Sequence, residues 1–304
     1  MMSVGRVTVL TNPMSGHGSA SHAAERAAAR FAKRGVDVVA IVGRDAEHAR
    51  RLVEGALERD MDALVVVGGD GIISLALQVL AKTDIPLGII PAGTGNDHAR
   101  EFGIPRKDPE AAADVVVDGV TKTIDLGRIV GADGTNKWFG TVMAAGFDSL
   151  VTDRTNRMTW PHGRMRYNLA IVAELSKLRL LPFRLCLDGR EMDIELTLAA
   201  FGNTKSYGGG MLICPDADPT DGKLDVTMVA SASRTKLIRL FPTVFKGTHV
   251  HLDEVSTARA QTITVDCQAS PKITAYADGE YICPLPVEVS AVPAALKILR
   301  PAGS

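Results

Sequence analysis

The sequence predicts two domains, an α/β domain built on a parallel sheet and an antiparallel β domain. Three observations lead to this prediction. The 304 residues exceed the usual size of one domain, the first 120 or so alternate short apolar runs with helical patterns, and the remainder is rich in hairpin signals. We place the first domain at 1–127 and the second at 128–285, and residues 286–304 could complete the first.

Strands and helices alternate through the first domain. An alanine-rich helix is predicted over Ser21–Arg34, where Gly35 suits the left-handed residue just past a helix end, and Asp45 is a candidate N-cap for the next helix. Apolar β-branched runs predict buried strands at Arg6–Leu10, Val36–Val42, Ala63–Val67 and Leu87–Ile90. Alternation of this kind predicts a parallel sheet that is covered on both faces.

Two of the Asp-Gly pairs in the second half indicate hairpins, because Asp-Gly is a strong hairpin signal. Asp133-Gly134 and Asp188-Gly189 are each flanked by strand-like segments. Those segments are Thr121–Val130, Lys137–Ala145, Phe183–Leu187 and Met192–Phe201, and further strands are expected at Thr262–Val265, Ile273–Ala277, Val287–Val292 and Ala295–Leu299. Helices are predicted at Met165–Leu178 and Arg234–Phe245, so this half is mainly antiparallel sheet.

The composition limits the classes of partner and the cellular compartment that are expected for the chain. The chain has 34 Lys and Arg against 35 Asp and Glu, so no overall basic field would hold nucleic acid or an anionic bilayer. No apolar run reaches the roughly 18 residues that span a bilayer, and the N-terminus lacks a secretory signal pattern, so a cytoplasmic protein is expected. Four cysteines without a Cys-x-x-Cys pair are interpreted as reduced core residues.

Three predicted strands of the first domain end in glycine-rich turns. These turns are Asn12–Gly18, Gly68–Gly71 and Gly93–Asp97. A single such turn is equally well explained as an ordinary loop that needs glycine, but three turns at the carboxyl edge of one parallel sheet indicate a phosphate ligand. Asp70 lies among the glycines, and a carboxylate beside a phosphate requires a cation, which favours magnesium and a nucleoside triphosphate.

Two other nucleotide signatures are missing from the sequence. There is no Gly-x-x-x-x-Gly-Lys-Ser/Thr, so the chain is not a P-loop protein. The three Gly-x-Gly pairs have Ser21, Ser74 and His98 where the dinucleotide fingerprint needs its third glycine. Nicotinamide-dependent oxidoreduction is therefore disfavoured.

Taken together, the turns resemble the signature of the diacylglycerol kinase catalytic domain, which soluble bacterial diacylglycerol kinases share with sphingosine and ceramide kinases. The matching motifs are Asn12-Pro13-x-Ser15-Gly16, Gly68-Gly69-Asp70-Gly71, Gly93-Thr94-Gly95-Asn96-Asp97, Asp221-Gly222-Lys223-Leu224-Asp225 and Asp278-Gly279-Glu280. The resemblance covers nearly the whole chain. It implies a Rossmann-like first domain, similar to phosphofructokinases and NAD kinases, then a C-terminal antiparallel β-sandwich, with the active site between them.

The resemblance also implies roles for individual residues. ATP would lie at Asn12, Pro13, Ser15, Gly16, Gly68, Gly69, Asp70, Gly71, Thr94, Gly95 and Asn96. We expect Asp70 and Asp97 to organise a catalytic Mg²⁺, and Glu280 or Asp278 to accept the proton of the lipid hydroxyl. A structural Mg²⁺ is implied at Asp218, Asp221 and Lys223, although spacing alone favours an acidic surface turn there.

Two positions depart from the family pattern. Ile72 stands where the family usually has threonine after Gly-Gly-Asp-Gly. In the family the second strand often ends in a threonine that touches the nucleotide, and here Ile41-Val42-Gly43 offers none. Both changes remove a hydroxyl, which could weaken ATP binding.

The resulting hypothesis is a lipid kinase that uses ATP and Mg²⁺ to convert diacylglycerol to phosphatidic acid at the inner face of the membrane. Sphingosine, ceramide or NAD are alternative acceptors, and a silent lipid or nucleotide sensor is the alternative from another class. No nucleic-acid partner is expected, and the chain could form a homodimer. The segment 164–184 is either a membrane-facing amphipathic helix or, more simply, a core helix with a basic edge.

Overall fold

The computed structural model describes residues 4–11, 19–147, 151, 154, 158, 179–230, 233–270 and 272–303. The chain divides into two compact units, one comprising residues 1–126 and 293–304 and the other residues 127–292. The chain passes from the first unit to the second within one strand, Val120–Gly131, and returns within another, Val287–Arg300.

The first unit contains the predicted parallel sheet. Its strands are β1 (Arg6–Thr11), β2 (Asp37–Val42), β3 (Ala63–Gly68) and β4 (Leu87–Pro91), and they lie in the order β2-β1-β3-β4. Every residue of β3 and β4 is buried, which is why these strands read as continuous apolar runs. The last part of the chain joins this sheet, because Ile298 pairs in parallel with Leu87 of β4.

The described part of the first unit contains five helices. They are α1 (Ser19–Lys33), α2 (Ala46–Leu57), α3 (Asp70–Leu80), α4 (Asp97–Glu101) and α5 (Pro109–Asp118). Gly35 has φ +71° after α1, and Asp45 caps α2 by accepting a 2.8 Å hydrogen bond from the His48 N–H. The terminal features predicted for these two helices are confirmed.

The second unit is an antiparallel β-sandwich. One sheet has the order β12-β11-β10-β7-β14-β15, and in the other β13 pairs with β16 and β8, and β8 with β9. The strands are β5 (Val120–Gly131), β6 (Asn136–Phe139), β7 (Val142–Gly146), β8 (Leu181–Leu187), β9 (Arg190–Leu196), β10 (Leu198–Gly202), β11 (Leu224–Val229), β12 (Val255–Ala260), β13 (Thr262–Cys267), β14 (Thr274–Ala277), β15 (Glu280–Pro284) and β16 (Val287–Arg300). Buried side chains from both sheets, among them Phe183 and Phe201, form one core. The predicted fold class is confirmed.

Sequence and structure differ at several strands of this unit. Met192–Phe201, predicted as one strand, is broken at Thr197 into β9 and β10, and the strands β11, β12 and β15 were not predicted. The segment predicted as one strand, Lys137–Ala145, is broken at Gly140 and Thr141 into β6 and β7. The two strands predicted at Val287–Val292 and Ala295–Leu299 form the single strand β16. The predicted helix at Met165–Leu178 lies outside the described residues.

One helix covers the outer face of a sandwich sheet. This helix, α6 (Arg234–Val244), buries Leu240 and Val244 against side chains of β7 and β10 such as Val142 and Leu198. A 3-10 turn, Thr248–His251, follows it. None of the helices described is long and apolar enough to cross a bilayer. All four cysteines are free thiols.

Candidate active site

Two glycine-rich loops of the first unit come into backbone contact. Gly69, with φ −101°, is the N-cap of α3 and has no side chain to cap the helix. A Cβ atom built on Gly93 would lie 2.3 Å from the Gly69 Cα, and one built on Gly69 would lie 3.0 Å from the Gly93 Cα. Because backbone lies on both sides, only glycine fits at Gly93, and the loops after β3 and β4 form one surface.

The start of α3 presents backbone donors. The Ile73 N–H is the first to bond within the helix, at 3.4 Å from the Gly69 carbonyl oxygen, so the N–H groups of Asp70, Gly71 and Ile72 precede the helical bonding. Unbonded N–H groups and the positive end of the helix dipole suit an anion such as a phosphate. The Ile72 side chain is buried in the core, which explains an apolar residue at this position.

The Asp70 carboxylate connects α3 to α4. Its Oδ1 accepts hydrogen bonds from the N–H groups of Asp97, at 3.0 Å, and His98, at 3.4 Å, and lies 3.1 Å from His98 Nδ1. Burial acts to raise the pKa of Asp70, but the hydrogen bond and charge of His98, with the two N–H groups, hold that pKa below its usual value. Asp70 is therefore an oriented carboxylate anion.

His98 is a site residue that the sequence reasoning missed. It is buried, and it follows Asp97 directly in the Gly93–Asp97 motif. That adjacency is a usable signal, because residues at the start of a helix share one end of it with the loop before them.

The loop after β4 is stabilised by hydrogen bonds among its own residues and with helix α4. Asn96 adopts a left-handed φ of +53°, and its side-chain amide bonds the Gly93 N–H and carbonyl at 3.0 and 2.8 Å. The Arg100 guanidinium donates to the Gly95 carbonyl at 3.2 Å, and its Nε lies 3.6 Å from Oδ1 of the buried Asp97. Thr94 is exposed at the tip of this loop.

A second set of carboxylates lies in the second unit, at the turn between β14 and β15. Asp278 and Gly279 have φ angles of +51° and +80°, as in a two-residue hairpin turn. The buried Asp278 carboxylate accepts from the Gly140 N–H at 2.9 Å, the Thr141 N–H at 2.8 Å and the Thr141 hydroxyl at 2.5 Å. These bonds fix the position of Gly140 and Thr141, the two residues that separate β6 from β7.

Glu280 differs from Asp278 in its exposure. Its side chain is exposed, although the surrounding protein still removes part of its solvent. That desolvation, together with the negative charge of Asp278, raises the pKa of Glu280 above its usual value. The next residue, Tyr281, is exposed and packs edge-on against Tyr276 at 5.8 Å between ring centroids.

The predicted structural metal site lies in an acidic loop of the second unit. Asp218 Oδ1 accepts from the Thr220 N–H and hydroxyl at 3.0 and 2.6 Å, and Asp221 Oδ1 accepts from the Lys223 N–H at 3.0 Å. The other Asp221 oxygen pairs with Arg259. Burial and the charges of Asp216 and Asp218 raise the pKa of Asp225 to about 6. Arg259 also pairs with Asp225, so its guanidinium neutralises part of the negative charge of this loop.

The predicted site residues fall into three groups. Gly68–Gly71 and Gly93–Asp97 are brought together by their backbones, Asp278 and Glu280 share the hairpin turn, and Asp218, Asp221 and Lys223 share the acidic loop. Asn12, Pro13, Ser15 and Gly16 lie outside the described residues. Within the described part of the chain, no three His, Cys, Asp or Glu side chains are grouped as metal ligands.

The position of Gly43, after β2, has a steric explanation. A Cβ atom at Gly43 would lie 2.4 Å from the Cβ of Ala49 on α2. Any side chain larger than that of glycine would therefore collide with α2 at this position.

Comparisons with known proteins match both units. Residues 6–129 match the diacylglycerol kinase catalytic domain, and residues 141–300 match the YegS C-terminal NAD kinase beta sandwich-like domain. A diacylglycerol kinase of Mycobacterium tuberculosis is 68% identical over 98% of this chain and 96% of its own length. The Bacillus subtilis diacylglycerol kinase is 33% identical over 80% of this chain and 78% of its own length.

Two further relatives extend the comparison. A Stenotrophomonas maltophilia protein named "Probable lipid kinase YegS-like" is 30% identical over 84% of each chain. A solved structure of a diacylglycerol kinase from Bacillus anthracis superposes with a TM-score of 0.73 over 99% of both chains at 18% identity. At that identity the superposition shows that the fold is shared.

Proposed function

Because the chain belongs to the diacylglycerol kinase family of lipid kinases, we propose that it transfers the γ-phosphoryl group of ATP to the hydroxyl of diacylglycerol, giving phosphatidic acid and ADP. The observation that carries this proposal is the contact between Gly69 and Gly93, which opens a side-chain-free surface beside the oriented Asp70 carboxylate. Phosphoryl transfer depends mainly on such positioning and on charge neutralisation.

The nucleotide phosphates are assigned to the first unit. The N–H groups that precede the helical bonding of α3 would donate to phosphate oxygens, and the exposed Thr94 hydroxyl could add a donor. Asp70 and Asp97 would hold Mg²⁺, since no hydrogen bond among the described residues reaches the second Asp70 oxygen. When bound, the ion would neutralise charge that develops on the transferred phosphoryl group.

Glu280 is the better candidate for the base. The acceptor oxygen forms a bond to the γ-phosphorus as its proton passes to the base, and the bond to the bridging oxygen breaks so that ADP leaves with that electron pair. Both Asp278 oxygens already accept hydrogen bonds, whereas Glu280 is exposed and has a raised pKa, which brings its proton affinity closer to that required of a base.

The test is transfer of radiolabelled γ-phosphate from ATP onto diacylglycerol, sphingosine, ceramide and NAD, presented in mixed micelles with Mg²⁺. We expect labelled phosphatidic acid from the wild type and a large loss in Asp70→Asn, which retains one oxygen to cap α4. The matched control is Asp84→Asn, an exposed aspartate of the same unit that pairs with Lys297. Labelling of another acceptor, or equal activity in both variants, would refute the proposal.

A lipid acceptor other than diacylglycerol is the second candidate. It is favoured by the relative whose name specifies a lipid kinase without a substrate. The same assay separates the two, because each labelled product migrates differently on a thin-layer plate.

A further inference from the structure

Helix α6 carries an exposed apolar row in the second unit. Ile238 is 59% exposed and Phe245, which caps the helix, is 45% exposed, with Pro242 exposed between them. The spacing of i, i+4 and i+7 places the three on one side of the helix. Phe241, which is partly buried, stacks edge-on against Phe245 at 5.5 Å and supports it.

Basic side chains flank this row. Arg239 follows Ile238 on the helix, and Lys246 follows Phe245 just past the helix end. Both are exposed and have no ion-pair partner among the described residues. Lys236 is exposed and pairs with Glu254. The segment from 234 to 252 contains four Lys or Arg and no Asp or Glu, in a chain whose overall charge is −1.

The opposite face of α6 packs against a sheet of the second unit. Leu240 and Val244 are buried and, with Leu237 and Phe241, pack on the sheet that contains β7 and β10. Core packing therefore accounts for the inner apolar side chains and leaves Ile238 and Phe245 unexplained. Single exposed apolar residues are common, but an apolar row bordered by unpaired cations is typical of an interfacial helix.

We propose that α6 and the two residues just past its end form a docking surface for an anionic bilayer, made by Ile238, Arg239, Pro242, Phe245 and Lys246. The inference rests on the proposed function, since a lipid acceptor must be reached at a bilayer. Charge complementarity favours an anionic bilayer as the partner. The apolar side chains of Ile238 and Phe245 would enter the headgroup region, while the charged groups of Arg239 and Lys246 would pair with lipid phosphates. A protein partner would have to supply acidic groups to both Arg239 and Lys246.

The direct test is flotation of the full chain with vesicles, without ATP or diacylglycerol. We expect binding to vesicles of equal parts phosphatidylcholine and phosphatidylglycerol, weak binding to phosphatidylcholine alone, and loss of binding in roughly 1 M salt, where the screening length is about 3 Å. Arg239→Glu/Lys246→Glu should lower the partition coefficient at least about tenfold. Ile238→Ser/Phe245→Ser should lower it roughly tenfold.

Two matched controls separate this surface from general effects of charge and polarity. Val39→Ser/Val42→Ser removes two exposed apolar side chains of β2, and Arg190→Glu/Lys272→Glu reverses two exposed basic residues of the second unit. Both controls should bind vesicles like the wild type. Equal losses in the controls and the α6 variants would overturn the proposal.

Further measurements separate docking from the reaction and from self-association. With a water-soluble short-chain diacylglycerol, the α6 variants should react at the wild-type rate. Wild-type vesicle binding without phosphorylation of any lipid would support docking and refute the proposed reaction. Vesicle binding unchanged in the α6 variants, with a change from dimer to monomer in light scattering, would overturn docking and assign α6 to a second copy of the chain.

Discussion

Substituting Asp278 with alanine should mainly destabilise the second unit. The buried carboxylate accepts hydrogen bonds from two backbone N–H groups and one hydroxyl, and these bonds hold the segment Gly140–Thr141 between β6 and β7. Alanine removes the acceptor and cannot replace it, because its methyl group accepts no hydrogen bond.

The loss can be worked out from these contacts. Each buried donor left without a partner costs about 1–3 kcal/mol, so three donors give about 3 kcal/mol at the lower limit. The left-handed φ of +51° adds about 1 kcal/mol, because alanine tolerates this region less well than aspartate. We expect a decrease of about 4 kcal/mol in the free energy of unfolding.

A matched control exists at another Asp-Gly hairpin, the one between β8 and β9. Asp188 also occupies the first turn position with φ +48°, and it accepts from the N–H groups of Gln261 and Thr262 at 3.0 and 2.8 Å, but it is exposed. Water can replace its bonds, so Asp188→Ala should cost only about 1–2 kcal/mol. The assay is urea denaturation followed by circular dichroism, which compares both variants at unchanged m-value.

The difference between the two variants is the decisive quantity. Equal losses in Asp188→Ala and Asp278→Ala would show that burial of the Asp278 carboxylate adds nothing. A loss below about 1 kcal/mol in Asp278→Ala, combined with abolished phosphoryl transfer, would assign this carboxylate to chemistry and refute the structural reasoning.

Three further predictions follow from the site and the first unit. The turnover rate should rise with pH through the raised pKa of Glu280, and this dependence should be lost in Glu280→Gln but kept in the control Glu288→Gln. An unchanged pH profile in Glu280→Gln would contradict the assignment of Glu280 as the base. Gly93→Ala should weaken ATP binding at least about tenfold in calorimetry, because backbone must move at Gly69; unchanged affinity would contradict the shared surface. Arg30 and Arg34 hold the pKa of Asp114 below its usual value. The stability that this carboxylate adds is therefore complete above the ordinary pKa of an aspartate, and it is lost as the pH falls through the lowered pKa of Asp114. The melting-temperature deficit of Asp114→Asn should therefore shrink in acid, and a deficit independent of pH would contradict this.

The sequence alone determined the fold class and most local elements. β1 to β4, the Asp45 cap and the hairpins at Asp133 and Asp188 were predictable because apolar periodicity, a capping side chain and turn residues act over a few neighbouring positions. The glycine-rich loops after β3 and β4 were predicted to lie close together, because the carboxyl ends of parallel strands meet at one edge of the sheet. The charge pattern of α6 was visible too, but its exposure was not.

Tertiary contacts decided what local pattern could not. The break between β6 and β7 depends on Asp278, which lies 138 positions from Gly140, and β16 remains one strand past Pro293 because Asp125 accepts the Ala294 N–H at 2.9 Å. His98 became part of the site only when α4 placed it against Asp70. Each of these depends on side chains far apart in the chain, and their approach is set by packing of the whole unit rather than by the neighbouring residues.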